Sequence, residues 1–427
     1  MSPRVVNFGC RLNIAEGEAI RAAAPRDAVV VNSCAVTDEA VRQARQAVRR
    51  ALRERPGADV FVTGCAAELE GERFAAMGAR VVANDAKGLV ESYRAEEEKN
   101  GPSTSSGQTD SDNATSHSPL ALSLSKPRSS FSPALSGPDY ARAFLGVQTG
   151  CSHSCTFCAT VLARGQARSA TIETVLAAAR TALTRGQREI VLTGVDLASY
   201  GDDSGASLAA LVEALLTLPV ERLRLSSLDP ARIDEALFAL LTEEPRVMPH
   251  VHLSLQAGDD MVLTRMKRRH RRADAVRLTE RLKAARGDIA IGADLIAGFP
   301  TEDEAMFANT LALIDECDIV FGHIFPYSPR AGTAAARMPQ VGRAAARSRA
   351  ALLREANARR RHAWLDRQAG TAAQMLVERD GLTGHAQNFA ALALTAPAAP
   401  GTIVPVRLTA RDGDRMIAAR TEKDIAA

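Results

Sequence analysis

Between Arg142 and about Tyr327 the chain repeats a short β-branched run followed by a helical stretch, and this alternation restricts its fold more than any other feature. The runs lie at 143–148, 189–192, 222–225, 250–255, 289–296 and 319–325. Parallel neighbouring strands need a crossover helix between them, so six βα units predict a partial barrel with its functional loops at the C-terminal strand ends. A second alternation fills the first 90 or so residues: 5–8, 28–31, 59–62 and 80–82 read as strands and 38–53 as one of the helices between them, which predicts an N-terminal parallel α/β domain.

The segments around these two blocks have other compositions. Residues 93–138 are rich in Ser, Gly and Pro, too poor in apolar surface to order themselves, and are expected to be a flexible linker. Residues 332–367 read as an Arg- and Ala-rich helical connector. Beyond about Gln368, short runs at 373–378, 391–395 and 403–408 separated by Gly and Pro turns predict a small all-β barrel. The expected α/β architecture therefore divides as 1–92, 93–138, 139–367 and 368–427. Charge is nearly balanced, 53 basic against 50 acidic residues for a net of +3, which permits an RNA partner without demanding one. The predominance of Arg beside abundant Ala has a bland explanation in genome composition. The N-terminus lacks a secretion signal and no apolar run reaches membrane-spanning length, so a cytoplasmic protein without a membrane partner is expected, with its seven cysteines as thiols or metal ligands.

Three of those cysteines, Cys151, Cys155 and Cys158, crowd into the run GCSHSCTFCATV. Three thiolates hold three corners of a [4Fe-4S] cube and leave the fourth iron to take a ligand from elsewhere. The competing reading is a structural zinc knot with His153 as its fourth ligand, but a short loop would struggle to turn all four side chains inward. Cys10, Cys34 and Cys65 are scattered, yet each comes just after a predicted strand, in FGCRLN, VNSCAVT and TGCAAE. Parallel strand ends gather at one sheet edge, so these thiols are candidates for a second cluster with an open iron, the alternative being ordinary core cysteines. Cys317 has no such context and reads as core.

The spacing CxxxCxxC with Phe157 before its last cysteine resembles the signature of radical S-adenosylmethionine enzymes, so the central block is expected to be a partial (βα)6 radical SAM barrel. With the N-terminal triad, the runs NFGCRLNIAEGE, NSCAVTDEA, EIVLTGVDLASYG, RLSSLDP, HLSLQAGDDMVLTRMKR, DLIAGFPTE and FPYSPRAGT are together similar to the methylthiotransferase family. Cys34-Ala-Val-Thr37 and the run from Arg164 to Ser169 resemble its threonylcarbamoyladenosine branch; other branches act on isopentenyladenosine in tRNA or on an aspartate of a ribosomal protein. Departures are Ser33, where a threonine is usual, and 159–162, where the family commonly has a proline. LVERDGLTGHAQNF resembles the small RNA-binding barrel called the TRAM domain, whose edge would hold an anticodon arm; the alternative is a barrel that only packs on the core.

The resemblance implies two [4Fe-4S] clusters, held by Cys10, Cys34 and Cys65 and by Cys151, Cys155 and Cys158. It further implies two uses of S-adenosylmethionine: one methylates sulfur at the first cluster, the other yields a 5′-deoxyadenosyl radical by one-electron reduction at the second. The methylthio group would join carbon 2 of the adenine of threonylcarbamoyladenosine, just 3′ of the tRNA anticodon, with an electron donor such as flavodoxin or ferredoxin. No catalytic residue is assigned beyond the cluster ligands. Polar strand-end residues are the expected cradle for S-adenosylmethionine: Thr193, Gly194, Asp196, Ser254, Gln256 and Asp294, with barrel packing as the alternative. Arg224, Arg268 and Arg269 either meet substrate phosphate or lie in water. A reading of another class is a noncatalytic iron–sulfur RNA-binding protein.

Overall fold

The computed structural model describes residues 2–94 and 131–420, so most of the Ser-rich stretch lies outside the described residues. Strands β1 (Arg4–Asn7), β2 (Val29–Ser33), β3 (Val60–Gly64) and β4 (Arg80–Val81) form a parallel sheet in that order. Helices α1 (Arg11–Ala23), α2 (Asp38–Glu54), α3 (Cys65–Leu69) and α4 (Gly71–Ala75) connect them. Successive strand side chains point to opposite faces, so the valine-rich strands serve two cores. Val29, Val31 and Val62 pack with Val41 and Val48, while Val30 and Phe61 pack with Ile20 on the other face. Helix α2 begins at Thr37, whose hydroxyl accepts the Ala40 amide, and carries Asp38 and Glu39 against its positive end.

The chain resumes with β5 (Ala134–Leu135), an antiparallel neighbour of β6 (Ala143–Gly146). This strand lies within the stretch read as linker, and the adjoining Ser136 is buried and accepts the Phe144 amide through its hydroxyl. The expected strand 143–148 breaks after Gly146: β7 (Gln148–Thr149) turns away to pair antiparallel with β8 (Arg168–Ser169). Parallel strands β9 (Glu189–Thr193) and β10 (Arg222–Leu225) extend the sheet from β6. A second sheet holds β11 (His250–Gln256), β12 (Ala290–Ala297) and β13 (Ile319–Pro326). Bridges between Leu223 and Val247 and between Leu228 and Leu253 join the two into one open, six-stranded barrel wall. The connections carry α5 (Thr160–Arg164), α6 (Ile172–Thr184), α7 (Leu208–Leu216), α8 (Glu235–Glu243), α9 (Asp260–Met266), α10 (Arg272–Ala285) and α11 (Glu304–Glu316). One continuous apolar core, Cys317 included, fills the wall and its helices.

An open barrel has an edge, and here α12 (Arg343–Asp366) lies along β13. Asn357 donates to the Ile319 carbonyl (2.8 Å) and accepts the Gly322 amide (3.0 Å), answering the ladder groups a further strand would take. The chain ends in a closed barrel of β14 (Ala372–Val377), β15 (Thr383–His385), β16 (Ala391–Leu394), β17 (Ile403–Asp412) and β18 (Arg415–Arg420). Its core is continuous with Ala290, Val320, Trp364 and Leu365, so it docks against the N-terminal ends of β12 and β13. The N-terminal domain sits across the barrel's gap: α1 packs on β5 and β6, while Asp38 pairs with Arg330, beyond β13, at 2.7 Å. Among the described residues no helix is long and apolar enough to cross a membrane.

Candidate functional site

Cys10 precedes α1, Cys34 follows β2 and Cys65 opens α3, so parallel pairing brings the three scattered cysteines to one sheet edge. Gly9 adopts a left-handed φ of 86°, and a Cβ there would lie 2.4 Å from Cys34 Sγ; only glycine lets these two loops meet. Cys34 Sγ accepts the Val36 amide at 3.5 Å, and the Cys10 thiol donates to Asn13 Oδ1 at 3.8 Å. Burial pushes the Cys34 thiol up to about 12, and the neighbouring Cys10 and Cys65 add to the rise. Such a thiol ionises readily only when a cation replaces its proton.

The third thiol is tied to the rest of the molecule. Arg164 Nε donates to Cys65 Sγ at 3.2 Å, while its terminal nitrogens reach Glu16 Oε1 (2.8 Å), Asn13 Oδ1 (2.9 Å) and Thr149 Oγ1 (3.2 Å). Lys87 closes on the other side of Glu16, so one buried carboxylate holds two cations across the seam between the N-terminal domain and the barrel. The run containing Arg164 marks the branch in sequence, but nothing local to it tells that its guanidinium meets a thiol 99 positions away.

Cys151, Cys155 and Cys158 line the loop from β7 to α5. The Cys151 thiol donates to Asp196 Oδ2 (3.4 Å), Cys155 Sγ accepts Arg268 Nη1 (3.5 Å), and Cys158 lies 3.0 Å from Thr160 Oγ1. Burial pushes Cys151 up to about 12, with Asp196 adding to it; burial takes Cys155 to about 11 against the pull of Arg268. The loop is pinned from beneath. Thr156 bonds the Met266 and Arg265 carbonyls and accepts the Ala335 amide, and Phe157 packs edge-on against Phe299, which packs on Tyr327. Both cysteine sets keep an exposed member, Cys10 and Cys158, which suits three-thiolate cluster sites open on one side. A zinc knot with His153 fits less well, because among the described residues only His252, Asp294 and His323 bring three ligand atoms within 4.8 Å of one another.

The six expected cofactor positions divide. Thr193 ends β9 and Gly194 follows it, but the close approach at Gly194 is to Gln148: an added Cβ would lie 2.8 Å from Gln148 Oε1. That same oxygen accepts the Val195 and Asp196 amides at 3.0 Å and so shapes the turn that places Asp196 beside Cys151. Ser254 and Gln256 lie half-buried on β11, Gln256 with a left-handed φ of 70°. Asp294 is turned to the barrel interior, where it accepts from His252 Nε2 (3.1 Å) and His323 Nδ1 (3.3 Å). The Arg268 side chain does not lie on the solvated surface: it is buried against Asp229 (3.0 Å) and the Ser254 carbonyl (2.8 Å). Arg224 is likewise buried, on Glu189, and Arg269 is exposed.

An open parallel barrel with a three-cysteine loop at its C-terminal strand ends defines a radical SAM protein, and residues 145–314 match the Radical SAM superfamily. Residues 4–83 match the family described as Uncharacterized protein family UPF0004. The threonylcarbamoyladenosine tRNA methylthiotransferase of Rickettsia prowazekii is 38% identical over 95% of this chain and 94% of its own. That of Bacillus subtilis is 33% identical over 78% and 74%. The chain thus belongs to the radical SAM methylthiotransferases, in the threonylcarbamoyladenosine branch. Among solved structures, the radical S-adenosylmethionine methyltransferase TsrM of Kitasatospora setae shares the fold at a TM-score of 0.52 and 15% identity, over 76% of this chain and 66% of that one.

Proposed function

We propose that this chain is a cytoplasmic tRNA-modifying enzyme that methylthiolates carbon 2 of N6-threonylcarbamoyladenosine beside the anticodon. The observation that carries the reading is the pair of three-cysteine sets, one at the C-terminal edge of the N-terminal parallel sheet and one on the loop from β7 to α5, with Arg164 of α5 bonded to Cys65. On this reading residues 1–92 hold one [4Fe-4S] cluster through Cys10, Cys34 and Cys65, and residues 139–367 hold another through Cys151, Cys155 and Cys158. Bound there, the clusters would supply one-electron reduction of S-adenosylmethionine and a site for the sulfur to be transferred. Arg164 donates to Cys65 and Arg268 to Cys155, so each set has one sulfur already held by a cationic donor. Thr193, Gly194, Asp196, Ser254 and Gln256 form the S-adenosylmethionine cradle, with Gln148 fixing the turn. Asp294, bonded to His252 and His323, completes that cradle. Residues 368–427 act as a TRAM-like hold on the anticodon arm, and a reductant of the flavodoxin or ferredoxin class supplies electrons.

Anaerobic reconstitution should give about eight irons per chain, as two cubes require, and Cys10→Ala or Cys151→Ala about four. Incubation with dithionite, S-adenosylmethionine and threonylcarbamoyladenosine-containing tRNA should give 5′-deoxyadenosine and the methylthio nucleoside by mass spectrometry. A fully loaded protein that forms neither is a noncatalytic iron–sulfur protein. Product on isopentenyladenosine tRNA or on a ribosomal aspartate instead would overturn the substrate.

A further inference from the structure

The interior of the open barrel, roofed by the start of α1 and floored by the turn between β15 and β16, gathers three arginines around one aromatic ring. Its centre is the ring of Phe389, a half-buried residue held at a left-handed φ of 70°. Guanidinium carbons of Arg224, Arg11 and Arg142 lie 4.8, 5.4 and 6.0 Å from the ring centroid. The imidazole of His385 stacks on the ring at 4.6 Å and that of His250 lies 4.9 Å away. Most of these groups are already answered. Arg142 meets Glu378 and Glu189, and Arg224 meets Glu189 and the Gln387 carbonyl. Two are not: Arg224 Nη1 is buried without a hydrogen-bond partner, and Arg11 has, among the described residues, neither hydrogen bond nor ion pair beyond its ring contact. The nearest other acid, Asp294, is shared between His252 and His323. A divalent cation on those three residues would share the neighbourhood of Arg11, on which Asp294 acts electrostatically, so the unanswered guanidinium nitrogens call for an anion.

We propose that Arg11 and Arg224 bind the carboxylate of the threonyl substituent on the substrate adenosine. Guanidinium forks match a carboxylate with paired, charge-assisted hydrogen bonds, and the residue before Arg11 is Cys10, so the same turn would present the substituent and the sulfur site together. The proposal rests on the substrate reading above and names what distinguishes that substrate from the uncharged isopentenyl one.

The test uses cluster-loaded wild type, Arg11→Gln and Arg11→Lys, matched for iron content and melting temperature. Their probes are two anticodon stem-loop RNAs, one bearing threonylcarbamoyladenosine and one its threonine carboxamide. Binding is read by fluorescence anisotropy without S-adenosylmethionine, and turnover separately. Wild type should prefer the acid by about ten- to a hundredfold, the range for a hydrogen bond to a charged group. Arg11→Gln should weaken the acid to the level of the amide and leave the amide unchanged, while Arg11→Lys keeps part of the preference. Equal effects on both RNAs, no effect on either, or weakened S-adenosylmethionine binding with RNA preference intact would each overturn the pocket. Acid preference in binding with no methylthio product from wild type would overturn the proposed function while leaving the pocket standing.

Discussion

Glu16 is a carboxylate placed where a carboxylate should not ionise, and it ionises because of its neighbours. Burial pushes it up, but Arg164 and Lys87 outweigh burial and hold it at about 2, against an ordinary 4.5. A folded-state value below the unfolded one stabilises the native state fully above about pH 4.5, and that contribution is lost as pH falls through 2. Urea unfolding measured from pH 7 down to 2 should therefore show stability dropping within that window. Glu16→Gln should flatten the drop and, by leaving two buried cations without their anion, cost about 3–5 kcal/mol at pH 7. Equal slopes for the two proteins would show that the acid sensitivity lies elsewhere, Glu189 being the next candidate since its arginines also hold it at about 2 against burial.

Among the elements, the cysteine loop between β7 and α5 has no regular structure of its own and depends on what it leans on. Thr156 Oγ1 donates to the Arg265 carbonyl at 2.8 Å, at the end of α9. Thr156→Val keeps the shape and removes the donor, so it should cost about 1 kcal/mol and speed iron loss to a chelator from the second cysteine set. Unchanged chelation kinetics would mean that Phe157 and the backbone bonds suffice. The same dependence on distant partners divides what could be read from the chain alone. The barrel strands were legible because β-branched runs alternate with helices, and the cysteines because few chemistries use three thiols at such spacing. Strands β5 and β8 were not, since two residues carry no periodicity and exist only through their pairing. Gln148 was equally silent, and Arg164 and Arg268, though singled out in the sequence, gave no sign of their partners: the thiols that the two arginines meet lie 99 and 113 positions away. A run such as MKRRH ordinarily marks a solvated surface, whereas Arg268 is buried on Asp229.

For the whole molecule, the terminal barrel is more than an appendage. Its core runs into Ala290, Val320, Trp364 and Leu365, and Arg222 donates to the Gln374 carbonyl at 2.9 Å. Truncation after Arg367 should thus lower the melting temperature and promote aggregation of the remaining chain, read by calorimetry and size-exclusion chromatography. A monodisperse fragment with unchanged melting would restore the view of an independent RNA-binding module. The seam at Arg164 has a consequence of another kind. One guanidinium answers both to the docking of two domains and to a thiol of the proposed N-terminal cluster, so the two equilibria share a free energy and must influence each other by the same factor. Tight docking should make the cluster harder to strip, and stripping it should loosen the docking to the same degree. A protein built this way has no separate half to damage: wear at the seam registers at the N-terminal cysteines, and wear there registers at the seam.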